Sequence, residues 1–287
     1  MTKHAITSWA RQMHIVDYSN QLASNDPYLA FAMDEWLCRQ AAQSGISICH
    51  IWRHRNAFIL GQRDARLPRA EQAVEWLRSN NWLPIVRNSG GAAVPLDAGV
   101  VNISLIFPLQ QPASFHQDFE KMFELIAAAL AHTGASVQKG EISGAYCPGD
   151  YDLSIDGLKF CGIAQRRQLH AYAVQAFIIA SGKGKHRTKL VREFYERAAV
   201  GAEQSSYPNV TDQSTASLEE LAGLGALAHH SFAEAIKQTI QSNQSAELRR
   251  LQQPLNLSSL ISLPENEQLA AIAAQLRQRY YKLHSRS

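Results

Sequence analysis

The chain has 287 residues, 46% of them apolar, enough to bury a core as one large domain or as one domain with a smaller addition. Its formal net charge of +3 is small for this length, which argues against general nucleic-acid binding and leans only slightly toward an acidic partner. No apolar run approaches the roughly 18 residues that a membrane helix needs.

Residues 26–44 read as a helix: Asp26 caps it, Pro27 takes the first turn, Leu29, Met33, Trp36 and Leu37 recur at helical spacing, and Gly45 ends it. Strand-like runs follow at 47–52 and 57–60, separated by Arg53-His54-Arg55-Asn56. Pro68 opens a second helix with Ala70, Ala73, Val74 and Leu77 on one face. Further strand-like runs at 83–86, 92–94 and 100–107 precede a third helix over roughly 114–133, apolar at Phe115, Phe119, Met122, Phe123 and Ile126. From Gly134 to Ala180 the pattern is again that of strands. Beyond that it turns helical: Ser217-Leu218-Glu219-Glu220 has the form of a capping box. From about Leu224 the chain is rich in Ala, Gln and Leu, broken near Pro254 and Pro264. Strands that come in runs predict an α+β fold, a mixed and largely antiparallel sheet flanked by helices. A main domain over 1–224 is expected, with 225–287 as a C-terminal helical appendage packed on it.

Residues 1–13 lack the apolar stretch of a secretory signal. Cys38, Cys49, Cys147 and Cys161 form neither a C-x-x-C pair nor a disulfide-dense pattern, so a cytoplasmic chain with reduced thiols is expected. The eleven histidines show no metal-ligand spacing, and no metal site is expected.

Three segments carry candidate chemistry. Cys147 lies in Gly144-Ala145-Tyr146-Cys147-Pro148-Gly149-Asp150, where Gly and Pro mark a loop and a thiol would be reachable as a nucleophile. A small hydrophobe filling a gap is the competing reading. Asp156-Gly157 is a two-residue hairpin turn, which would pair Ile155 with Leu158, Ser154 with Lys159, Leu153 with Phe160 and Asp152 with Cys161. Asp152, Ser154, Lys159 and Cys161 then share the polar face. Lys159 is either a cation that keeps the Cys147 thiol ionised or a solvated lysine on an outer strand, and Cys161 is a competing but more buried thiol. In Arg87-Asn88-Ser89-Gly90-Gly91-Ala92-Ala93-Val94 the paired glycines allow a ligand to approach the main chain or simply a tight turn. Ser181-Gly182-Lys183-Gly184-Lys185-His186-Arg187 reads as a basic, flexible loop, solvated or docking an acidic protein.

Taken together, the run from Arg87 to Asp97, with Asn102-Ile103-Ser104, resembles the R-R-x-S-G-G-G-A-V-x-H-D…N-x-S signature of the lipoate–protein ligase, octanoyltransferase and biotin ligase superfamily. Residues 151–166, from Tyr151 to Arg166, resemble its N-D-L-x-x-x-G-K-K-x-x-G-x-A hairpin, and weaker likenesses extend the match to roughly 28–220. Two positions depart from the pattern: Ala92 replaces the third glycine and Leu96 the histidine. The extra methyl of Ala92 would crowd contacts to a nucleotide's phosphates, and with residues 146–153 it is similar to the branch that moves octanoyl groups between proteins.

The resemblance implies a biotin/lipoate protein ligase-like catalytic domain, with Cys147 as the acyl-thioester residue and Lys159 as the superfamily's site lysine. It implies octanoyl transfer from a lysine of the glycine cleavage H protein to a lysine of 2-oxoacid dehydrogenase lipoyl domains, without ATP or metal. In this reading Lys159 stabilises thiolate and oxyanion, and Asp152 or a water relays protons. Arg87, Asn88 and Ser89 frame the acyl head, and Gly90, Gly91 and Gly162 join Asp152 among the acyl-binding residues. A monomer is expected. The competing readings are an octanoyl-acyl carrier protein-dependent transferase, an ATP-dependent lipoate ligase, and a non-catalytic acyl-carrier-binding protein.

Overall fold

Two sheets of unequal size hold the site between them, in a computed structural model that describes residues 8–10, 12–23, 25–109, 115–251 and 261–280. The large sheet has seven strands in the order β1 (Met13–Ala23), β2 (Ser47–His54), β6 (Val100–Pro108), β10 (Ala171–Ile179), β9 (Leu158–Arg167), β8 (Leu153–Ile155) and β7 (Gln138–Lys139). Only β1 and β2 run parallel; every other neighbouring pair is antiparallel. The small sheet has the order β4 (Leu83–Val86), β3 (Asn56–Leu60), β5 (Val94–Asp97). The α+β arrangement with a mostly antiparallel sheet is therefore as expected from the sequence.

Helix α1 (Tyr28–Ser44) begins where the Tyr28 N–H donates to Asp26 Oδ1 at 3.1 Å and ends at Gly45, whose φ of 73° is the left-handed stop. Its Leu37, Cys38 and Ala41 pack on Ile48 and Ile106 of the large sheet. The opposite side of that sheet is covered by α3 (Phe115–Leu130) and α6 (Ala228–Leu251), through Met122, Leu125 and Ile126 with Phe232, Ile236 and Ile240. Helices α2 (Ala70–Ser79) and α4 (Gly184–Ala198) pack on the small sheet, while α7 (Asn266–Tyr280) lies against α1. The short α5 (Leu218–Leu221) is held by the expected capping box of Ser217 and Glu220. Pro254 falls outside the described residues. Among the described residues no helix is long and apolar enough to cross a membrane.

Four local features differ from the sequence reading or are absent from it. Strand β1 gives no clear alternation in sequence because it is an edge strand whose register slips between Asp17 and Leu22. The run expected at 92–94 starts as a strand only at Val94; Pro95, like Pro84, sits in an outer strand opposite Phe58, where a missing N–H leaves no gap in the ladder. The basic run 181–187 is not a free loop, because α4 starts at Gly184 and Arg187 turns inward to Asp97 at 2.5 Å and Ser181 O at 2.8 Å.

The fourth concerns the hairpin. Asp156 and Gly157 have φ of 52° and 77°, as its tight turn requires, but a bulge pairs Leu153 with Cys161 instead of Phe160. The expected Leu153–Phe160 and Asp152–Cys161 pairs therefore do not form. At the bulge the Lys159 N–H donates to Ser214 O and its carbonyl accepts from Ala216 N, both at 3.0 Å. Segment 214–216 thus closes over the hairpin, and Lys159 is fully buried.

Phe232 of α6 is fully buried in the core beneath the large sheet. Phe232→Ala is expected to cost about 3–5 kcal/mol in one cooperative unfolding transition. A loss under about 1 kcal/mol by denaturant melting would mean that α6 docks as a dispensable addition.

Candidate active site

The thiol is carried by loop 144–150, which needs backbone found mainly in glycine: φ is 77° at Gly144 and 48° at Cys147. A non-glycine residue in the left-handed region costs on the order of 1 kcal/mol and persists only where its surroundings fix it. Lys159 does this. Its Nζ donates to Tyr146 O at 2.9 Å, to Cys147 O at 2.6 Å and to Asp152 Oδ2 at 2.7 Å. Those acceptors use all three ammonium protons. Asp152 also accepts from the Gly149 N–H at 3.2 Å, closing a ring around the thiol residue. Burial raises the Asp152 carboxyl to about 6, against the opposing pull of Lys159.

The cation at the sulfur is a different residue. Arg87 Nη2 lies 3.1 Å and the Ala92 N–H 3.3 Å from Cys147 Sγ. The same guanidinium also donates to Ala92 O, so loop 87–93 is folded onto the thiol. Gly91 permits this: at φ 104°, a Cβ there would stand 2.5 Å from Arg87 Nη2 and 2.9 Å from Sγ. Two N–H donors aimed at one sulfur, one of them charged, provide what a thiolate needs to hold its charge. Sequence reading expects Lys159 in this position; here Arg87 contacts the sulfur, and the Lys159 protons lie on the two carbonyls and Asp152.

A cavity of about 320 Å³ opens at this sulfur, walled by Phe31, Trp52, Ile59, Val94, Leu96 and Phe177. Arg87, Ser89, Gly90, Gly91, Gly162 and Cys147 all line it, so most of the residues expected to bind an acyl group converge. At Gly162 a Cβ would strike the Phe177 ring at 2.4 Å, so the glycine leaves room for the aromatic wall. Two expected residues lie elsewhere. Asp152 does not line the cavity but sits behind it, paired with Lys159 at 2.7 Å. Asn88 lines a second, outer groove and donates to Glu35 Oε1 at 2.8 Å. Cys161 and Cys49 are buried in the core beneath the large sheet and Cys38 in the core under α1, and burial pushes all three thiols up.

Sequence reading misses the supports of the glycine loop. Tyr195 Oη accepts from the Ala93 N–H at 3.2 Å and donates to Asp64 Oδ1 at 2.9 Å, while Asp64 Oδ2 accepts from the Gly61 N–H at 2.7 Å. On the other side Glu35 accepts from Asn88, Gln168 and Arg166, and Arg166 Nη1 donates to Asn88 O. Spacing offers no signal for either set, since Asp64 and Tyr195 are 131 positions apart. Among the described residues no three His, Cys, Asp or Glu side chains converge as a metal site would require.

The fold that carries this thiol and its apolar cavity is that of lipoate-protein ligases. The crystal structure of lipoate-protein ligase A bound with ATP matches 94% of this chain and 96% of that one, with a TM-score of 0.61 at 17% identity. LipL1 of P. falciparum in complex with lipoate matches 92% of this chain and 72% of that one, with a TM-score of 0.60 at 11% identity. The chain belongs to the lipoyl protein ligase A/B catalytic domain family, whose model matches residues 26–241. Among its relatives is the octanoyl-[GcvH]:protein N-octanoyltransferase of Geobacillus kaustophilus (strain HTA426), 44% identical over 73% of this chain and 75% of that protein. The enzyme of the same name from Exiguobacterium sp. (strain ATCC BAA-1283 / AT1b) is 35% identical over 91% of this chain and 95% of that protein.

Two outcomes are expected. Lys159→Met leaves the buried Asp152 carboxylate without its cation and should cost about 3–5 kcal/mol, which adding Asp152→Leu should largely restore. A double variant no more stable than the single one would reject the pairing. Burial also raises Asp64 from 3.8 to about 6. The fold then favours the protonated form, so this contribution is full below 3.8 and is lost as pH rises through about 6. Relative to Asp64→Asn, stability should fall by about 3 kcal/mol between roughly pH 4 and pH 7. A pH-independent difference in denaturant midpoints would contradict this.

Proposed function

We propose that this chain is an octanoyltransferase of protein lipoylation working through a thioester on Cys147. It takes octanoate from the octanoyl-lysine amide of the glycine cleavage H protein and passes it to a lysine of 2-oxoacid dehydrogenase lipoyl domains. The observation that carries this reading is the Cys147 sulfur at the wall of an acyl-sized cavity, held by the Arg87 guanidinium and the Ala92 N–H. The names of the relatives supply the octanoyl group and the H protein.

Cys147 sulfur attacks the amide carbonyl, forming a C–S bond. Charge passes from sulfur to the carbonyl oxygen, and the Arg87 guanidinium and Ala92 N–H, which stand at the sulfur in the free protein, are the donors at hand to receive it. Collapse breaks the C–N bond, and the leaving lysine nitrogen takes up one proton, equivalent to the one the thiol gave up. A second lysine amine then attacks the thioester, C–N forms, C–S breaks, and the proton lost by the incoming nitrogen restores the thiol. One amide replaces another, so the exchange is near neutral and consumes no ATP. Burying the octanoyl tail contributes about 0.8 kcal/mol per methylene in either half-reaction. Lys159 and Asp152 act as positioning residues, since they hold the carbonyls that shape the thiol loop.

Mixing the chain with octanoylated H protein should give an octanoyl adduct by intact mass, absent in Cys147→Ser and discharged by adding unmodified lipoyl domain. An adduct that persists in Cys147→Ser would defeat the thioester. Modification of the lipoyl domain from free octanoate only with ATP would instead make the chain a ligase.

A further inference from the structure

Outside the thiol lies a second concavity of about 810 Å³ that shares Ser89, Gly90, Gly91, Pro148 and Gln165 with the acyl cavity. Its walls carry Arg63 and Arg66 on one side and Arg166 and Arg167 on the other. The latter two are matched by Glu35 and Asp118. Arg63 and Arg66 are exposed and, among the described residues, have no carboxylate against them. The one acidic residue in the wall, Asp64, is turned inward to Tyr195 and Gly61. That anchoring fixes the turn 64–66, and the Arg66 N–H closes it on Arg63 O at 3.0 Å. Two unneutralised guanidinium groups are thus presented from a rigid turn at the entrance to the thiol.

We propose that this groove docks an acidic protein segment, with Arg63 and Arg66 meeting carboxylates that flank the modified lysine of the carrier protein. The inference rests on the reading above, because a lysine must reach Cys147 from outside and this groove adjoins it. It goes further by fixing the chemistry of the partner. Donor and acceptor proteins use one entrance in turn, so each carries the same acidic flank and each excludes the other. Fixed charges at an interface rim act mainly on encounter rate and salt dependence, while the reacting centre is left unchanged.

The test compares the Arg63→Glu/Arg66→Glu double variant with the unaltered chain using two donors, octanoylated H protein and a small, blocked, uncharged octanoyl-lysine amide. At low salt the kcat/KM for the protein donor should fall about tenfold or more, shrinking as salt is raised, and acylation by the small amide should be unaltered. Arg63→Lys/Arg66→Lys should keep most activity. Fluorescence anisotropy of labelled H protein, which needs no chemistry, should show the same loss of binding, and unmodified lipoyl domain should compete for the site. Equal loss with both donors, undiminished binding of H protein, or absence of competition would overturn the docking site. Binding of ATP that is abolished in the double Glu variant, with H protein binding intact, would assign the groove to a nucleotide instead. If H protein binds as expected but Cys147 is acylated by neither donor, the docking stands and the proposed transferase reaction fails.

Discussion

The site depends on a single buried ammonium. Lys159 is completely enclosed, and its three protons meet the Asp152 carboxylate and two consecutive carbonyls of the thiol loop. A charge so placed is stable only when every donor has an acceptor, so the pair imposes the backbone around it. That is why Cys147 holds a positive φ and why the Tyr146 and Cys147 carbonyls turn the same way. Gly162 answers to the aromatic wall instead, since a Cβ there would stand 2.4 Å from the Phe177 ring while Lys159 Nζ stays at an ordinary contact of 3.4 Å. The bulge and the closure of segment 214–216 bring the lysine to this depth.

With Lys159 engaged, the work at the sulfur passes to loop 87–93. In the proposed reaction the two cations near one thiol serve separate ends: Lys159 shapes the loop that carries the thiol, and Arg87 faces the sulfur. The loop itself is braced from both flanks, by Tyr195 with Asp64 on one side and by Glu35 with Asn88 and Arg166 on the other. A brace of that kind suits the proposed chemistry, in which oxyanion donors must already be in position when charge develops. The same Asp64 fixes the turn that presents Arg63 and Arg66, so the inner site and the outer groove share one anchor.

Much of this was legible in the chain. Capping and periodicity placed α1, α2, α3 and the Ser217 capping box, because those signals are local and steric. Asp156-Gly157 gave the hairpin turn for the same reason. The bulge was not legible, since its cause is segment 214–216, about 55 residues downstream of Lys159. Spacing brings Cys147, Lys159 and the glycine loop into view as candidates but gives no sign that Arg87 is the cation in contact with the sulfur. Lys159 is twelve positions from Cys147 and Arg87 sixty, so sequence proximity points to the lysine and gives no sign of the arginine. For Asp152, alternation gives a face and not what covers it, so its pairing with Lys159 behind the cavity has no sequence signal.

The departure at Ala92 can be argued from the hydrogen bonds. Its N–H is directed at Cys147 Sγ and its carbonyl receives Arg87, so both main-chain groups are occupied within the protein. A nucleotide phosphate could use that N–H only by taking it from the sulfur, and the phosphate's charge would then compete with the thiolate for Arg87. A loop that serves the proposed thioester is therefore poorly disposed to serve an acyl-adenylate at the same time. An exchange of one amide for another needs no adenylate, since the acyl group arrives already bonded to nitrogen. On this view the extra methyl is tolerated because no phosphate has to approach the main chain there, and the loop is free to close on the thiol.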